Sequence, residues 1–163
     1  MALWLVRAGK RGEHENRFLQ DQSVYLTFEV LDRLDLNSVH DFHSLRSHLQ
    51  ERLVGESNRL IGNWCGQAWT FAKSMQIGDL VVLPSKKART MAVGVIDGPY
   101  RYIEDFPPAY RHIRCVQWLD TAIPWESFDE DLLRTMGAFL TVFEVKRNDA
   151  EKRVRHMLHV MQT

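Results

Sequence analysis

The sequence predicts an α+β chain in which a small curved mixed sheet or partial β-barrel is flanked by helices. Three observations lead there: six short apolar segments read as strands, helical patterns interrupt them, and the longest helical insert follows the second strand. Hairpin-length connections late in the chain favour antiparallel pairing there, and no doubly wound nucleotide pattern occurs. With 163 residues, 45% hydrophobic and 26% charged, the chain is expected to form one domain over 1–163.

Ala2 to Arg7 reads as the first strand, followed by the basic turn Ala8 to Gly12 and a short helix over Glu13 to Gln20. Val24 to Phe28 is the second strand. Ser38, with Asp41 three residues on, resembles a capping box for a helix whose face is Phe42, Leu45, Leu49 and Leu53. Ser57 starts a second helix carrying Leu60, Ile61, Trp64, Ala68, Phe71 and Met75 on or near one stripe. Gly62 and Gly66 lower its propensity by about 1 kcal/mol each, which predicts close backbone packing there. Strands then follow at Asp79 to Leu83 and Thr90 to Ile96, joined by the basic hairpin turn Ser85 to Arg89. Phe106-Pro107-Pro108 is a loop, and His112 to Trp118 the next strand. Ser127 with Glu130 predicts a capped short helix ended by Gly137. Phe139 to Lys146 is the last strand, and Asn148 with Glu151 caps a terminal helix with Val154, Met157, Leu158 and Met161 on one face.

Charge excludes a global field: 21 Lys plus Arg balance 21 Asp plus Glu, so any nucleic-acid contact must rest on a local patch. The apolar start Ala2 to Val6 is too short for a signal peptide, and no run approaches the roughly 20 residues of a membrane span, so a cytoplasmic protein with no membrane partner is expected. Cys65 and Cys115 lack paired spacing and read as small packing residues. His40, His43 and His48 have no acidic or Cys partner at ligand spacing, and no metal is assigned to them. No phosphate loop, zinc-protease helix or nucleophile elbow is present. Glu144-Val145-Lys146 with Asp129 and Asp131 has the spacing of a Mg²⁺ nuclease, but both aspartates fall at a helix start rather than a strand end, so a catalytic role is not assigned.

The cations cluster in turns: Arg7, Lys10 and Arg11 in the first, Lys86, Lys87 and Arg89 in the hairpin, and Arg101, Arg111 and Arg114 around the Pro-containing loop. Were these turns to share one rim, they would form a cationic mouth able to hold several phosphates. Aromatic rings interleave with them: Tyr25 and Phe28, then Tyr100, Tyr102, Phe106 and Tyr110. An everted nucleobase needs flat apolar walls and a few polar edge contacts, which this combination supplies, although rings near strand ends also close small cores. Trp69, Trp118 and Phe143 sit in strongly apolar patterns and read as core.

The segments Trp4 to Lys10, Gly66 to Phe71, Gly78 to Lys86 and Gly98 to Tyr102 resemble the N-terminal domain of Mrr-like type IV restriction proteins. The resemblance continues, in order, through His112 to Trp118, Phe128 to Phe139 and Arg147 to Glu151. Those domains are similar to the EVE and YTH branches of the PUA-like superfamily, helix-flanked β-barrels that hold a flipped, often methylated, base in an aromatic cage. The likeness to YTH includes His14-Glu15-Asn16 before Val24 to Thr27, and Arg114 through Trp118 to Ile123-Pro124. Thr27-Phe28 stands where related sequences often carry Gly-Trp, and Trp125 where they carry Arg, so the base preference is expected to differ.

The resemblance implies a module that reads a modified base in DNA, such as N6-methyladenine, 5-methylcytosine or 5-hydroxymethylcytosine, and performs no chemistry itself. Tyr25 or Phe28 would give one wall of the base pocket and Tyr100, Tyr102 or Phe106 the opposing one, with Trp64 a further candidate wall and Arg7, Asn16 and Ser85 as polar contacts. Lys10, Arg11, Lys86, Lys87, Arg89 and Arg101 would hold the backbone. No cofactor is implied. A fused or separate restriction nuclease would be the partner. An RNA-modification reader, an ASCH-type nucleoside hydrolase and a protein-interaction domain that binds no nucleic acid are the alternatives, although the Lys and acidic pair expected of the hydrolase is not identifiable.

Overall fold

The computed structural model describes residues 1–162 and is a mixed α+β structure, a strongly curled half-barrel sheet flanked by helices. Its strands are β1 (Leu3–Val6), β2 (Ser23–Leu26), β3 (Leu80–Ser85), β4 (Thr90–Ile96), β5 (Arg101–Tyr102), β6 (His112–Pro124) and β7 (Val142–Glu144). The sheet order is β2-β6-β4-β3-β1-β7, with β5 also paired to β6. All pairs are antiparallel except β1 with β3.

Alternation along the central strands divides two cores. Trp4, Val6, Val81 and Leu83 face one way, Leu3, Leu5, Leu80 and Val82 the other, as a period of two requires. The first face packs under α1 (Glu15–Gln20), α2 (Phe42–Arg52) and α3 (Asn58–Trp69) through Phe18, Leu45, Leu49, Ile61 and Ala68. The second packs under α4 (Glu130–Thr135) and α5 (Ala150–Gln162) through Leu132, Val154 and Leu158. Trp69, Trp118 and Phe143 are half-buried against these cores.

The curl has local causes. β6 pairs with β2 over His112 to Cys115 and with β4 from Val116 onward, so one long strand serves two neighbours. The β4–β6 register shifts around Val93, which lets the pair bend. Gly94 sits where β4 and β6 approach closely: a Cβ there would lie 2.7 Å from the Gln117 carbonyl oxygen.

Several boundaries differ from the sequence reading. Asp41, not Ser38, caps α2 by accepting from the Ser44 N–H at 2.7 Å, while Ser57 caps α3 as expected. Asp129 replaces Ser127 as the residue before α4, because Trp125–Ser127 already forms a 3₁₀ turn. The last strand is only Val142–Glu144, and Phe139 lies in the loop before it. Backbone crowding at the α3 glycines is absent: the Arg46 guanidinium is the only close neighbour at Gly62, and Gly66 faces open space. Met161, expected on the buried face of α5, is exposed.

A closed polar network crosses the first core. His112, fully buried, lies 2.7 Å from the Leu31 carbonyl through Nε2 and 2.6 Å from the Tyr100 hydroxyl through Nδ1. The Tyr100 oxygen accepts the Leu36 N–H at 3.1 Å, so a neutral ring donating from Nε2 satisfies every partner. Burial holds this imidazole below its ordinary value. The unfolded chain therefore takes up a proton near pH 6.5 that the folded chain refuses; this stabilisation is full above that pH and is lost as the pH falls. The urea midpoint is expected to drop between about pH 7.5 and 5.5 with the His112 ring signals unmoved in NMR spectra; a ring that titrates normally in the folded protein overturns this.

Candidate functional site

Parallel pairing of β1 with β3 puts both C-terminal ends at one edge of the half-barrel. β4 begins there, β6 finishes there, and β7 enters there, because each runs antiparallel to its neighbour. The connections that meet at this edge enclose a cavity of about 480 Å³. Its apolar lining includes Pro84, Met91, Trp125, Leu133, Met136 and Leu140, and its polar rim carries Arg7, Lys10, Glu15 and Lys86.

Each rim residue has a local reason for its position. The chain leaves β1 through a turn in which Gly12 takes a φ of 73°, and a Cβ at that position would collide with the Glu15 carboxylate. Glycine there lets the carboxylate at the first turn of α1 fold back over the turn, where the Ser85 hydroxyl donates to Glu15 Oε2 at 3.0 Å. Arg7 spans the floor of the loop before β7, donating to Leu140 O at 2.8 Å and Met136 O at 3.1 Å. Burial lowers its pKa, but an arginine starts high enough to stay charged. Trp125 is fixed from two sides: its indole N–H donates to Thr90 O at 2.9 Å, and the Arg89 guanidinium lies 5.0 Å from its ring centroid. One aromatic wall, a carboxylate and three cations thus converge on one mouth.

Of the sequence-derived residues, Arg7, Lys10 and Lys86 line this cavity; Ser85 and Arg89 touch residues that do, and Lys87 is exposed on the same hairpin. Arg11 and Asn16 are exposed on the first turn and α1. The proposed cage rings lie elsewhere. Tyr25 is 1% exposed, its hydroxyl donating to Asp21 at 2.5 Å and its ring packed on Phe18 and Tyr110; burial and Asp21 push its pKa up to about 12. Tyr100 is 6% exposed and tied to His112, and the Tyr102 hydroxyl donates to Asp32 O at 2.6 Å. The Phe28 and Trp64 rings pack tilted against each other with centroids 4.8 Å apart, half-buried against the first core, where Phe106 also packs. The third basic cluster does not reach the mouth: Arg101 is exposed beside Cys115, Arg111 donates to Phe106 O and Asp32 O, and Arg114 is buried.

Trp125 and Glu15 were not singled out as site residues by the sequence reading. Trp125 stood out only as the position where related sequences carry Arg. The acidic pattern near α4 has another partner: Asp129 and Asp131 both bind Arg153, at 2.8 and 2.6 Å, and Lys146 pairs with Glu144. Among the described residues, no three His, Cys, Asp or Glu side chains are placed to share a metal. No described helix is long and apolar enough to cross a membrane.

A family model described as a domain of unknown function, DUF8426, matches residues 4–146. The chain belongs to this family. The matched span takes in the seven described strands, apart from Leu3 at the start of β1, and every residue named above as lining the cavity. No curated protein and no solved structure matches the chain.

Proposed function

We propose that the cavity at the β1–β3 edge takes one everted, modified nucleobase of DNA, and that the chain is the specificity module of a modification-dependent restriction system with a PUA-like fold. The observation that carries this reading is the composition of one half-open mouth: an indole wall, aliphatic sides, a carboxylate and three cations around about 480 Å³. That volume lies in the range of about 300–1,000 Å³ typical of small-ligand sites. The indole, with Arg89 over its ring, supplies the aromatic wall, and Leu133, backed by the nearly buried Met91 and Met136, supplies an apolar side for a methyl group. Glu15 accepts hydrogen bonds from the exocyclic amine of cytosine or adenine, which selects against thymine. Lys10 and Lys86 meet the phosphates on either side. The aromatic wall is thus Trp125 rather than the rings of β2 and the Pro-containing loop.

The deciding experiment is a binding panel of duplexes carrying N6-methyladenine, 5-methylcytosine or 5-hydroxymethylcytosine, with unmodified duplex and matched RNA as competitors. One modified DNA is expected to bind tightest; equal binding of all duplexes, or preference for RNA, overturns the reading. Replacing Lys86 and Lys87 together by Ala is expected to weaken modified and unmodified duplexes alike and to lower the slope of log K against log salt by up to about 2. An unchanged slope removes the hairpin from the interface.

A further inference from the structure

One bulky side chain on the cavity rim has no cover at all. Phe139 is 105% exposed at the tip of the loop between α4 and β7. The loop that carries it is held at both ends. Arg7 grips Met136 O and Leu140 O, and just beyond, Gln67 Oε1 accepts the N–H groups of Thr141 and Val142 at 2.9 and 3.0 Å. Gly137 closes the end of α4 through its N–H to Arg134 O at 3.1 Å. The ring is therefore presented by a fixed ridge.

That ridge separates two concavities. Gly137, Ala138 and Phe139 line the cavity already described, and on their other side they line a wider one of about 820 Å³. Arg134, Lys146 and Arg147 border the second concavity, with Asp131 engaged by Arg153 and Glu144 by Lys146. Cations thus stand on both flanks of an exposed phenyl ring, beside a cavity of a size suited to a base.

Resting on the base-pocket reading, we propose that Phe139 is a wedge: it enters the duplex stack and occupies the space left when a nucleotide turns out into the cavity. Everting a base breaks its stacking on both neighbours, and an apolar ring inserted at the opened step restores a stacking surface. Because the backbone on either side of it is already held, insertion costs the ring only its own rotamer freedom. Lys86 and Lys10 on one side, and Lys146 and Arg147 on the other, suit the phosphates flanking the opened step.

The wedge helps only where a stack must be opened, and this distinguishes it from a pocket wall. The test compares wild type with Phe139→Ala on three probes carrying whichever base of the panel the wild type holds tightest: a paired duplex, the same duplex with that base mispaired, and the single strand. Phe139→Ala is expected to weaken the paired duplex about tenfold, the mispaired duplex less, and the single strand by less than about twofold. Phe139→Leu should retain most of the duplex affinity. Equal losses on duplex and single strand make Phe139 a wall of the pocket and overturn the wedge alone, as does no loss on any probe. A wild type that prefers no modified base overturns the pocket reading and the wedge with it.

Discussion

Trp125→Ala is expected to weaken binding of the preferred modified duplex by about tenfold to a hundredfold, the equivalent of about 1–3 kcal/mol for one base–aromatic stack. The unmodified duplex at low salt should change little, because the phosphate contacts proposed for Lys10 and Lys86, which line the same cavity, do not involve the indole. Removing the indole also removes its hydrogen bond to Thr90 O and the ring beneath Arg89, so some loss of stability accompanies the change. Trp125→Phe separates the two effects: it keeps a stacking face and lacks the indole donor. Fluorescence anisotropy on both variants, with near-ultraviolet circular dichroism to verify the fold, makes the comparison. Binding by Trp125→Ala that equals wild type would remove Trp125 from the site and leave the pocket without its aromatic wall.

Arg114→Ala is expected to destabilise the fold by about 3–5 kcal/mol, enough to abolish cooperative unfolding in a marginally stable chain. Arg114 is 3% exposed; its Nη1 donates to Met75 O at 2.6 Å and Phe71 O at 3.4 Å, and its Nη2 to Gly98 O at 3.1 Å. It thereby joins the π-helical turn Thr70–Ser74 after α3 to the loop between β4 and β5. Alanine leaves these carbonyls buried and unpartnered, each such group costing about 1–3 kcal/mol before relaxation. Arg114→Lys should recover only part of the loss, because one ammonium cannot reach in the two directions the guanidinium fork serves. Urea denaturation monitored by tryptophan fluorescence reads both variants. A midpoint for Arg114→Ala close to wild type would show that water replaces the guanidinium at no cost.

How much of this was legible in the sequence depends on which signal each residue carries. β1, β3 and β4 announce themselves by apolar runs bounded by turns, and Ser57 announces α3 because a cap is a local hydrogen bond between near neighbours. The cations Arg7, Lys10 and Lys86 were found because turns are legible and charge clusters within them. The aromatic residues were not separable in the same way. β2 is buried on both faces, so Ser23 to Leu26 shows no alternation that would say which way Tyr25 points. Tyr25 and Tyr100 satisfy their hydroxyls through Asp21 and His112, partners fixed by tertiary structure and invisible in composition. Phe139 read as the start of a strand because an apolar run continues through it; the grip of Arg7, more than 130 positions away, holds that stretch out as a loop. Trp125 was visible only as an exception to a pattern, and Glu15 as one acid among many. Its position follows from a positive-φ glycine three residues earlier.

The lone parallel pair in the sheet has a consequence for biosynthesis. β1 is made before both of its partners, β3, some 77 positions later, and β7, about 140 positions later. One edge of β1 therefore waits for β3 and the other for β7, so the sheet closes only once β7 has been made. A nascent chain that stops short of residues 137–141 lacks one side of the cavity, which is complete only after that segment has been made.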